Sequence, residues 1–169
     1  LLYVLLIVSI ILFFSLGITQ QLGAPWVPTS RERVRKMLSI ANVQPNEVVY
    51  DLGSGDGRII IMAAREFGAR SVGIEAHPMW VLWTPLLVIL YRLKQVQVIW
   101  GNFFHTDLRE ANVVTLYLLQ ETNQKLQQKL EEKLLPGTRI VSHAFTFPKW
   151  TLENMESGVY LYRINGKKS

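Results

Sequence analysis

Cysteine is absent from all 169 residues. That excludes a disulfide framework, a thiolate metal site and a cysteine nucleophile. Histidine is scarce, and His77, His105 and His143 are dispersed with no H-x-x-x-H spacing or carboxylate pairing, so the sequence offers no metal constellation. No G-x-S-x-G elbow is present, which removes the usual serine-hydrolase signature. Charge is in short supply too. Asp, Glu, Lys and Arg make up 18% of the chain, below the roughly 25% of soluble domains, whereas hydrophobic residues reach 49%. Disordered, collagen-like and small secreted classes are thereby excluded. There is no internal repeat and no low-complexity tract. The length suits one globular domain.

The apolar excess is concentrated at the start. Residues 1–18, LLYVLLIVSIILFFSLGI, carry no charge, and Ser9 and Ser15 are the only polar breaks. About 18 residues at ~1.5 Å each reach roughly 27 Å, close to the ~30 Å hydrocarbon core of a bilayer. A signal-peptide core is usually shorter and ends at an A-x-A-like site, which Gly17-Ile18-Thr19-Gln20-Gln21 does not offer. The segment therefore reads as a retained transmembrane anchor, followed by a linker over 19–28 and a globular domain over 29–169. The next charges are Arg31, Glu32, Arg33, Arg35 and Lys36, all basic but one. Lysine and arginine bias puts the domain on the cytoplasmic side of a single-pass membrane protein. The net charge of +5 and pI of about 9.6 suit an anionic lipid surface. The basic residues are scattered without a recognition motif, so nucleic acid is not an expected partner.

Beyond the linker, helical and strand patterns alternate. Thr29-Ser30-Arg31-Glu32 has capping-box spacing, with Thr29 as the cap, and Val34, Met37, Leu38 and Ala41 follow at helical intervals. A strand over 47–52 enters a glycine-rich loop. A helix over 58–67 is closed by Gly68, and a strand over 71–76 leads to a helix over 78–94. Strands follow over 96–100 and 113–118. A helix over 122–134 carries Leu126, Leu130 and Leu134 on one stripe and stops at Pro136-Gly137. Strands over 138–144 and 158–164 complete the chain. The expected fold is α/β: a Rossmann-like open, mostly parallel sheet with helices on both faces.

The loop after the first strand carries the chemistry. Asp51-Leu52-Gly53-Ser54-Gly55-Asp56-Gly57 has the form D-x-G-x-G-x-G. Its glycines let the backbone turn sharply and leave no Cβ between it and a ligand, at the strand end where open α/β sheets bind ligands. A dinucleotide fingerprint would place the third glycine one residue later. Glu75, at the end of the second strand, stands where an acid binds ribose hydroxyls. An acid ahead of the loop suits a cationic ligand better than a pyrophosphate.

These residues resemble class I S-adenosylmethionine-dependent methyltransferases over about residues 24–145. The resemblance implies that Gly53, Ser54, Gly55 and Gly57 contact the methionine part of S-adenosylmethionine, that Asp51 lies near its amino end, and that Glu75 holds the ribose. The position after the third strand, usually an Asp bonding the adenine amine, is Asn102 here, with Phe103 beside it to stack on the ring. Pro25-Trp26-Val27-Pro28-Thr29, the loop with its flanks, Thr115-Leu116-Tyr117-Leu118-Leu119 and Val141-Ser142-His143-Ala144-Phe145 look like the small membrane-anchored lysine methyltransferases. These include the ATP synthase c-subunit enzymes and prokaryotic relatives. That likeness implies N-methylation of a protein lysine; a cofactor pocket held close to the membrane by the apolar segment 79–91 would make the acceptor a membrane protein or a lipid-like molecule. Between Phe145 and Gly158 there is little room for the last helix usual in the family.

Tyr117, at the end of the fourth strand, is the candidate for orienting the acceptor amine, although it would also serve as a packing residue. Thr29 would face the cofactor while capping its helix. Asp107 and His143 are weaker candidates; Asp56 reads equally as a turn residue and Arg58 as a solvated charge. The segment 79–91, MWVLWTPLLVILY, is apolar nearly all round, interrupted only by Thr84 and Pro85. Its outer face, with Trp80 and Trp83, is expected to meet membrane lipid or the 1–18 helix, a homodimer contact being the alternative. Two further functions stay open: methylation of a lipid or quinone-like molecule, and a non-catalytic module of the same fold.

Overall fold

The computed structural model describes residues 27–165 together with Tyr3. Tyr3 apart, the expected anchor over 1–18 lies outside the described residues, as does the linker up to Trp26. Among the described residues no helix is long and apolar enough to cross a membrane.

Eleven elements follow in order: α1 (Arg31–Ile40), β1 (Val48–Leu52), α2 (Arg58–Phe67), β2 (Arg70–Glu75), α3 (Pro78–Leu90), β3 (Val96–Trp100), β4 (Val113–Leu116), α4 (Gln120–Lys133), β5 (Arg139–His143), β6 (Asn154–Glu156) and β7 (Val159–Arg163). They form one mixed seven-stranded sheet in the order β3-β2-β1-β4-β5-β7-β6. The first five strands run parallel, and β7 is antiparallel to both β5 and β6.

Strand alternation divides the core. Val49, Val113 and Val141 point to one face, where Val34, Met37 and Leu38 of α1 meet Ile59, Met62 and Ala63 of α2. Helix α3 joins this face at the sheet edge, Val88 packing with Val96 and Val98. Tyr50, Leu52, Leu116 and Ile140 point the other way, against Leu126 and Leu130 of α4 and against Leu108 and Phe147 from loops. Every residue of β1 is buried, as expected for a central parallel strand; Asp51 is its one charged member.

Several boundaries differ from the sequence reading, for local reasons. The cap of α1 is Ser30, whose Oγ accepts the Arg33 N–H (3.2 Å); Thr29 is not the cap. The fourth strand ends at Leu116, two residues early, and frees Tyr117 and Leu118 for the loop. Helix α3 ends at Leu90 rather than Lys94. Arg92 adopts a left-handed φ of 55°, its N–H bonding Ile89 O and that of Leu93 bonding Val88 O. That pattern closes a helix and usually employs glycine, which is why the sequence concealed it. Strand β6 escaped notice because its three residues, Asn-Met-Glu, are all exposed and not β-prone.

Candidate active site

The register lines up the carboxyl ends of β1, β2 and β4. Asp51 stands opposite Gly73 of β2 and Thr115 of β4, and the loops leaving these strands open between β1 and β4, where the order of the sheet reverses. Ligands bind open α/β sheets at such a point. A cleft open to solvent lies there.

Its floor is anionic. Asp51 is 3% exposed, and its Oδ1 accepts the Thr115 hydroxyl at 2.8 Å. Burial pushes its carboxyl up to about 7, against the opposing pull of the Thr115 hydrogen bond; the charges of Glu75 and Asp56 push the same way as burial. A buried acid beside two further carboxylates is poised to accept a cation.

The glycine loop forms one wall. The N–H groups of Gly53 and Ser54 both bond Ile74 O, at 2.9 and 3.1 Å, and hold the loop against β2. Gly53 has φ +78°, and a Cβ there would come within 3.2 Å of Leu118. Gly53, Ser54 and Gly55 line the cleft. Gly57 is not among the lining residues. It is the N-cap of α2 with φ 77°, and a Cβ on it would sit 2.3 Å from Thr84 Cγ2, so its role is to let α3 approach the loop.

Glu75 lines the cleft and also braces it. Its Oε2 accepts the Gly55 N–H at 2.7 Å, and its Oε1 accepts those of Ala76 and His77 at 2.9 and 2.8 Å. A carboxylate offers about four acceptor sites, so hydroxyl donors still have a place on it. Val27 and Thr29 add to the lining. Arg58 donates to Asp56 (Nε to Oδ1, 2.9 Å) and to the carbonyl of Thr29, tying Thr29 to the loop. Thr29 is buried. Asp56 and Arg58 are thus part of the wall, not a free turn and a solvated charge.

Phe103 and Tyr117 also line the cleft. Phe103 is buried; the Tyr117 ring packs on His143, 4.2 Å between centroids. Burial, then the charge of Arg33, holds His143 below its ordinary range, and its Nδ1 is buried with no hydrogen-bond partner. Asn102, like Gly57, departs from the expectation. It is exposed and outside the lining set, and its Oδ1 accepts the Phe104 N–H at 2.9 Å. Asp107 lies in a separate surface hollow, paired with Arg109.

Residues 51–154 match the family described as the ANTKMT methyltransferase domain. The chain belongs to this family. It is an S-adenosylmethionine-dependent methyltransferase. The protein-lysine N-methyltransferase of Saccharolobus islandicus is 42% identical over 156 residues, 85% of this chain and 96% of that protein. The ATP synthase c-subunit lysine N-methyltransferase of Mus musculus is 34% identical over 134 residues, 75% of this chain but 51% of the mouse protein. An RNA methyltransferase from Salinibacter ruber, crystallised with S-adenosyl-L-homocysteine, superposes with a TM-score of 0.81 at 43% identity, covering 85% of this chain and 97% of that one.

The cleft of the methyltransferase fits its cofactor on its own terms: a buried acid for a positively charged ligand, side-chain-free backbone beside it, and a carboxylate with spare acceptor capacity. Sequence reasoning missed Thr115, His77 and Trp80. Thr115 looks like any β-branched strand residue, and only its register against Asp51 reveals it. His77 caps α3 through Nδ1, and Trp80 faces the cleft rather than the outer side of α3 expected for it.

Proposed function

We propose that this protein transfers a methyl group from S-adenosylmethionine to the ε-amine of a lysine in a membrane protein. In this reading residues 1–18 hold it to the bilayer, residues 19–28 form a linker, and the domain over 29–169 lies on the cytoplasmic side. The observation that carries it is the buried Asp51 carboxyl under the glycine loop. The lysine acceptor is supported by the activity named for the Saccharolobus islandicus relative, with which this chain is nearly coextensive. The membrane-protein substrate is supported by the target named for the mouse relative.

Bound S-adenosylmethionine supplies an electrophilic methyl group, so the protein's task is alignment and control of one proton. Asp51 would hold the cationic amino end, Gly53, Ser54 and Gly55 the methionine part, Glu75 the ribose hydroxyls and Phe103 the adenine face. Thr29 adds to the lining. Alignment alone is a strong device, since well-oriented reactants reach effective molarities of about 10⁵–10⁸ M. A lysine of pKa ~10.4 must arrive neutral. Entry into a partly apolar mouth favours the neutral amine, and the Tyr117 hydroxyl would orient its lone pair.

Incubating membranes with methyl-labelled cofactor and the full chain tests this. Label is expected as methyl-lysine in a protein band and is lost with Asp51→Ala. Label in a lipid extract or in RNA, with none in protein, would overturn the acceptor assignment.

A further inference from the structure

We infer that the outward face of α3, with Trp100 on the adjoining edge strand, rests in the interfacial layer of an anionic lipid bilayer. The inference is separate from the 1–18 anchor. It rests on the proposed function only for what it implies about the acceptor.

Helix α3 is turned inside out. Its one fully buried residue is Thr84, whose hydroxyl donates to Gly55 O at 3.0 Å. Its exposed residues are large and apolar: Leu82 and Ile89 are each 73% exposed and Leu90 71%. Leu86 and Trp83 share the stripe, and Trp100 of β3 is 69% exposed beside it. A surface helix of a soluble domain shows the opposite pattern. The stripe runs the full helix, roughly 20 Å at ~1.5 Å per residue, which is too short to span a bilayer and suited to lying in its surface.

Charge selects lipid over a second copy of the chain. No carboxylate stands between Glu75 and Asp107. Arg92 and Lys94 are exposed just past the end of α3, and the Arg65 guanidinium lies 4.8 Å from the centre of the Tyr91 ring. Cations bordering an apolar stripe, with tryptophan and tyrosine among them, match the head-group layer of an anionic membrane. The chain's course points the same way. Val27, where the described domain begins, and Trp80, in the first turn of α3, line the same cleft. The described residues of the domain thus begin beside the first turn of α3. Residues 19–26 span at most ~29 Å, so a bilayer holding residues 1–18 lies within that distance of the start of the described domain. Trp80 precedes Trp83 by one turn, ~5 Å along the axis, which sets the cleft mouth near the head groups and the acceptor lysine at the membrane surface.

The absence of cysteine makes the test clean. Ile89→Cys and, as an aqueous reference, Leu135→Cys each give the full chain a single thiol for a nitroxide label; both positions are exposed. The labelled chains are placed in vesicles of phosphatidylcholine with a minority of phosphatidylglycerol, after circular dichroism shows them folded. At position 89 the label is expected to collide with oxygen several-fold more often, relative to an aqueous nickel chelate, than at position 135. Equal ratios at the two sites would overturn the inference. So would dipolar broadening at position 89 in dilute protein, which means a second copy, or shielding from both reagents, which means the 1–18 segment covers the stripe. S-adenosylhomocysteine titration of the same samples reads the cleft separately: an interfacial label in a folded chain that binds none would overturn the functional reading and leave the lipid contact standing.

Discussion

At the scale of single residues, Asp51 sets folding against binding. Its carboxyl titrates near 7 in the fold and near ~3.9 in an unfolded chain. Between those values the folded state binds more protons than the unfolded one. Stability from this group is therefore fullest below about pH 4 and declines as pH rises through 7. A bound cation reverses the balance by favouring the ionised form. S-adenosylmethionine affinity is thus expected to fall as pH drops below about 7, approaching tenfold per pH unit, with uptake of the ligand releasing a proton; calorimetry in buffers of different ionisation enthalpy measures both. Asp51→Asn is expected to raise the melting temperature of the ligand-free protein at pH 8 while lowering cofactor affinity at least a hundredfold. A second substitution separates position from charge. Thr115→Val removes a hydrogen bond that favours the ionised acid, of a kind worth about 1.5–3 kcal/mol. The midpoint of the affinity-against-pH curve should then move up by about one pH unit or more. An unmoved midpoint would show that Thr115 serves packing alone.

At the scale of elements, the loop and α3 are fitted to each other through Gly57 and Thr84. Gly57→Ala forces a side chain into a left-handed conformation, about 1–2 kcal/mol, and adds an overlap with the Thr84 methyl. Thr84→Ser keeps the hydroxyl that bonds Gly55 O and removes that methyl. The double variant should be more stable than the sum of the two single losses predicts, by about 1 kcal/mol or more in a denaturation cycle; strict additivity would rule the overlap out. The same pair marks what the sequence could and could not say. D-x-G-x-G-x-G was readable because backbone demands at alternate positions leave only glycine, and Glu75 because it ends an apolar strand. Thr84 looked like an interruption of an apolar helix, and only packing shows it to be the buried side. Asn102 sat at the right interval after β3, but a one-residue turn directs its oxygen to Phe104 N. Ser30 took the cap from Thr29 because two neighbouring hydroxyls compete for one helix start, and spacing does not choose between them.

At the scale of the molecule, the open, mostly parallel sheet with helices on both faces followed from alternation of helices and strands, whereas the uneven dressing of the sheet did not. Helices α1, α2 and α3 share one face, and α4 is the only helix on the other among the described residues, the segments 101–112 and 144–153 supplying loops. The cleft consequently has a cradle for a nucleoside and an open front. Reacting atoms are best kept dry, and among the described residues the cleft stays open to solvent. On the proposed function, the acceptor would supply the missing cover. A folded, membrane-embedded acceptor should be methylated with a kcat/KM at least a hundredfold above that of a short lysine peptide of the same local sequence, and equal values would mean that the cradle suffices. On that reading selectivity would reside in the shape of the visitor, and unrelated proteins presenting a lysine on a matching contour would become substrates without any change in the host.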